Sequence, residues 1–77
     1  MNVAVCTLKI RLPENHSLKG KRQVIHSMTA RLQNRFKVSA AEVDGQGLWQ
    51  VSTIGMSCVS NRAGHARETM DNALGFI

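Results

Sequence analysis

"KVSAAEVDGQGLWQVSTIGMSCVS" (residues 37–60) decides the fold of this 77-residue chain. Two runs rich in strand-forming residues flank Asp-Gly-Gln-Gly, whose Asp and Gly tolerate the positive φ of a tight hairpin. The pattern predicts a short strand over 37–43, a turn over 44–47 and a longer strand over 48–60. In the longer strand Ile54, Met56 and Cys58 share one face, while Trp49, Val51, Thr53, Gly55 and Ser57 share the other. A β-bulge would exchange those faces.

On the N-terminal side, "NVAVCTLKIRL" (2–12) alternates as a strand. Ala4, Cys6, Leu8, Ile10 and Leu12 fall on one face, and Val3, Val5, Thr7, Lys9 and Arg11 on the other. Pro13 ends it, having no N–H for a ladder bond. A helix is predicted from about Ser17, its N-cap, to Phe36. Leu18, Ile25, Met28, Leu32 and Phe36 make its apolar stripe, with Lys19, Arg22, His26 and Gln33 on one flank and Arg31 and Arg35 on the other. After the hairpin, Ser60 or Asn61 can cap a last helix whose core face is Ala63, Ala66, Met70, Ala73 and Ile77.

The order is β-α-β-β-α. The first crossover should be right-handed, and the hairpin returns the third strand between the first two with both helices on one face. This is an α+β, ferredoxin-like sandwich, expected to fill residues 1–77 as one domain. The fourth strand usual in that fold is absent from this chain, so the first strand is expected to be an open edge available for homo-oligomer pairing. Lys9 and Arg11 there can also serve as charges that discourage such pairing.

Charge is distributed unevenly. Residues 1–40 hold Lys9, Arg11, Lys19, Lys21, Arg22, Arg31, Arg35 and Lys37 against Glu14 alone. Residues 41–77 hold Arg62 and Arg67 against Glu42, Asp44, Glu68 and Asp71. A basic half of this kind suits an anionic partner, most often nucleic acid. "LKGKR" (18–22) is not a nucleotide loop. It has a single glycine, and Lys21 is followed by Arg22 rather than Ser or Thr. It reads instead as a capped, basic helix start.

Other chemistries find little support. Acylphosphatases share this element order, but their glycine-rich loop with its arginine would fall at "PENHS" (13–17), which has neither. His16, His26 and His65 lack metal-ligand spacing, and no nucleophile motif is present, so neither metal, cofactor nor enzymatic activity is expected. Cys6 and Cys58 form no paired motif and are expected as reduced core residues. Phe36, Trp49 and Phe76 are the only aromatics, and none lies on the first strand, where a base-stacking RNA sheet would need one. Trp49 is expected to cover core or interface. With no long apolar segment and with Lys9 and Arg11 where a leader would be apolar, the chain is expected to be cytoplasmic and not bound to a membrane.

"LPENHSLKGKRQVI", "RLQNRFKVSAAEVD", "LWQ" and "VSNRAGHA" together resemble the YlxP-like family of small bacterial proteins of unknown function, in order and through nearly the whole chain. The resemblance implies a ferredoxin-like fold and a cytoplasmic protein with genes near those of translation and ribosome maturation. It implies no catalytic residues. Members often carry an acidic residue where Gly20 stands, and usually run past Ile77 into a last strand. The leading expectation is a non-enzymatic RNA- or ribosome-associated protein. Lys9, Arg11, Lys19, Lys21, Arg22, Arg31, Arg35 and Lys37 would meet phosphates. The alternative is a protein-interaction or oligomerisation module using the first-strand edge and Trp49.

Overall fold

The computed structural model describes all 77 residues. The elements are β1 (Asn2–Arg11), α1 (Leu18–Phe36), β2 (Ser39–Asp44), β3 (Val51–Ser60) and α2 (Ala63–Phe76). The sheet runs β1-β3-β2, with β3 antiparallel to both neighbours. This is the α+β, ferredoxin-like arrangement with one strand fewer, and β1 and β2 are its two edges.

Alternation places Ala4, Cys6, Leu8 and Ile10 of β1 toward the helices and leaves Val3, Val5, Thr7, Lys9 and Arg11 exposed. Ser52, Ile54, Met56 and Cys58 of β3 are buried on the same side. Against them pack Ile25 and Leu32 of α1, then Ala66, Met70 and Ala73 of α2. Side chains this small leave little volume for error, and the aromatic contribution is confined to an edge-on contact of Phe36 with Phe76, ring centroids 5.4 Å apart. Cys6 and Cys58 are free thiols, the second buried. No helix is long and apolar enough to cross a membrane.

Several boundaries differ from the sequence reading. β3 starts at Val51 rather than Leu48, because residues 48–50 are held by the β1–α1 loop. Asn15 Nδ2 donates to the carbonyl of Trp49, Gln50 Nε2 donates to the carbonyls of Pro13 and Asn15, and the Leu12 amide donates to Gln50 O. β2 starts at Ser39 because Lys37 ends α1 in the left-handed region at φ 55. Gly45 supplies the expected positive φ of the turn. The register irregularity lies in β2, between Glu42 and Asp44, so the faces of β3 keep their predicted phase. α2 is capped by neither Ser60 nor Asn61: Arg62 is the N-cap and gives no side-chain bond. Ser60 Oγ instead accepts from the Arg62 amide and lies 3.0 Å from His65 Nδ1.

Candidate nucleic-acid interface

α1 begins where Ser17 Oγ accepts the amide of Gly20 at 3.0 Å, closing its first turn. From that turn the sequence distributes five cations of α1 over three environments. Lys19 and Arg22 are exposed near its start, and Arg31 and Arg35 are exposed toward its end. Lys21 points the other way. Residues 21, 25, 28, 32 and 36 recur at three- and four-residue steps, so Lys21 lies on the apolar stripe itself, one turn before Ile25.

Lys21 is therefore not a phosphate contact, contrary to the sequence expectation. Its side chain is 2% exposed and its Nζ lies 2.9 Å from Glu42 Oε2. The same ammonium donates to the carbonyl of Gly45. Ser52, fully buried, donates its hydroxyl to Glu42 Oε2 at 2.6 Å. Burial pushes the Glu42 carboxyl up, but the Ser52 hydrogen bond, the Lys21 bond and charge, and the nearby Arg22 charge outweigh it. The carboxyl is held below its ordinary value. This group ties the start of α1 to the β2–β3 turn. A signal for it existed in the sequence: Glu42 follows Ala40 at the inward phase of β2, and an inward carboxylate demands a buried cation.

The other predicted residues are solvent-exposed but do not form one surface. Lys9 and Arg11 stand on the open sheet face, opposite the helices, at the end of β1. Lys19 and Arg22 flank the start of α1, which that end of β1 feeds through a six-residue loop. Arg35 is about 24 Å further along α1 at 1.5 Å per residue. Its guanidinium lies 5.3 Å from the Phe76 ring centroid and 5.9 Å from that of Phe36. Lys37 follows at the C-cap. The cations thus make two groups, one around the β1–α1 junction and one at the far end of α1.

Lys21–Glu42 is the molecule's one ion pair. Every exposed Arg and Lys is left without a carboxylate in ion-pair contact, so no direct pairing neutralises the cations at either end of α1. Of the two roles expected for Trp49, core or interface, it does not fill the first: it is 52% exposed beside Leu48, also exposed. No group of His, Cys, Asp and Glu is arranged to hold a metal ion.

These features define a small α+β protein with an open sheet face and unneutralised cations around one helix. Residues 3–77 match the family model described as "Protein of unknown function (DUF503)", and the chain belongs to that family. It is similar to the uncharacterized protein YlxP of Bacillus subtilis (strain 168), 36% identical over 61 residues. That match spans 79% of this chain and 66% of the relative's length, just under two thirds.

Proposed function

We propose that the protein is a non-enzymatic RNA- or ribosome-associated accessory protein that meets the phosphate backbone through exposed cations. One observation carries this reading. The only basic residue with a carboxylate partner is the buried Lys21, which leaves Lys9, Arg11, Lys19, Arg22, Arg31, Arg35 and Lys37 free to exchange counterions for phosphates. The open sheet face has Val and Thr but no aromatic platform, so recognition runs through charge and shape rather than stacked bases. The reading is tested by fluorescence anisotropy with ribosomal RNA. The Lys19→Glu, Arg22→Glu double variant should bind about tenfold or more weakly than the parent, on every sequence alike. Unchanged affinity would remove the β1–α1 junction from the interface.

A second reading, a protein-interaction or homo-oligomer module using the β1 edge and Trp49, is favoured by the exposed Leu48–Trp49 pair. It predicts a dimer in sedimentation experiments whose affinity hardly changes with salt.

A further inference from the structure

Where α1 ends and α2 passes, a cleft of ≈ 400 Å³ is lined by Arg35, Phe36 and Lys37 and by His65, Thr69 and Asn72, with Cys58 and Val59 of β3 completing it. Its volume falls within the range of small-ligand sites. The lining holds two cations, Arg35 and Lys37, three hydrogen-bonding side chains, His65, Thr69 and Asn72, and no carboxylate. Neither Arg35 nor Lys37 has an ion-pair partner.

Two further features single the cleft out. Lys37 occupies the C-cap with φ 55 and ψ 42, a conformation that glycine adopts without strain and a lysine does not. A cation is therefore held where the backbone would favour glycine, at the mouth of a cleft. Arg35 lays its guanidinium against the Phe36 and Phe76 rings. The guanidinium makes no hydrogen bond or ion pair within the protein, so its N–H donors are free for a planar or tetrahedral oxyanion. His65 is positioned by its Nδ1 contact with Ser60 Oγ, and its Nε2 makes no hydrogen bond within the protein.

We propose that this cleft binds a phosphate ester, one phosphate of an RNA strand or of a free nucleotide. Arg35 and Lys37 supply charge, and His65, Thr69 and Asn72 supply hydrogen bonds. The inference rests on the phosphate-binding reading above but locates a discrete site, about 24 Å along α1 from Lys19.

The test is amide NMR titration of the 77-residue chain with inorganic phosphate, uridine 5′-monophosphate and a short single-stranded oligoribonucleotide, repeated for Lys37→Gly and Asn72→Asp. Lys37→Gly relieves the backbone while removing the charge, so its loss of binding cannot be ascribed to unfolding. Asn72→Asp adds a repelling carboxylate on an exposed helix position. The site predicts saturable shifts centred on Lys37, His65, Thr69 and Asn72, and weakening by about tenfold in each variant. Response to uridine monophosphate as well as oligonucleotide identifies a nucleotide site, and response to oligonucleotide alone identifies a strand site. Shifts confined to Lys19 and Arg22, with both variants binding as the parent does, overturn the cleft while leaving RNA association standing. Mononucleotide binding in the cleft with no affinity for ribosomal RNA does the reverse. No saturable shift with any of the three probes overturns the cleft.

Discussion

At Gly20 a side chain would place its Cβ 2.6 Å from Asn15 Oδ1 and 3.1 Å from Ser17 Oγ. Asn15 cannot easily yield, since its amide bonds the carbonyls of Ser17 and Trp49. Gly20→Ala therefore forfeits that clip and should not stabilise the helix, whereas in an Asn15→Ala background it should stabilise by about 1 kcal/mol. Urea denaturation of the four proteins measures this, and equal effects in both backgrounds would contradict it. The sequence shows a glycine in the first helical turn but not the reason for it, because Asn15 and Gly20 meet only once the loop has folded back. Lys37 is the complementary residue. Lys37→Gly should raise stability by about 1 kcal/mol, or roughly 4–8 °C in Tm for a domain of this size. An unchanged or lower Tm would show that the left-handed C-cap carries no strain.

Between elements, the Lys21–Glu42–Ser52 group links α1, β2 and β3. Removing either charge has unequal consequences. Glu42→Ala leaves an ammonium that is 2% exposed with no countercharge and only the Gly45 carbonyl as partner, while Lys21→Met leaves a carboxylate 19% exposed and still bonded to Ser52. The first should cost about 3–5 kcal/mol, enough to unfold much of a small domain, and the second about 2–3 kcal/mol. Urea titration ranks the two, and the opposite order would contradict the burial difference. The pH dependence has a definite sign. Glu42's carboxyl is depressed in the folded state, so its contribution is complete above the unfolded value near 4.5. That contribution is lost as pH falls through the lower folded value. Glu42→Gln should flatten the fall of Tm with acid in that window, and an identical slope in both proteins would exclude Glu42 as its source. In composition Lys21 is indistinguishable from its exposed neighbours Lys19 and Arg22. Helical period alone already placed it on the stripe of Ile25 and Leu32.

For the whole molecule, element order and strand order were legible because Pro13, the Ser17 cap and the Asp44–Gly47 turn punctuate the chain at the points where its hydrophobic period changes. The start of β3 was not, since Leu48–Gln50 reads as strand locally and is diverted by bonds from Asn15 and Gln50 across the fold. The cationic site was legible as a list but not as a shape. Lys9 and Arg11 lie on the open sheet face, Lys19 and Arg22 beside the junction, and Arg35 and Lys37 at the far end of α1, a separation only the tertiary structure imposes. The same structure leaves all of them unpaired, and on this the functional reading depends. Its most direct test is the affinity for ribosomal RNA by fluorescence anisotropy from low to physiological salt. Phosphate contact by these cations predicts a linear fall of log affinity with log salt whose slope reports several released counterions. Absence of binding even at low salt, or binding indifferent to salt, would contradict it.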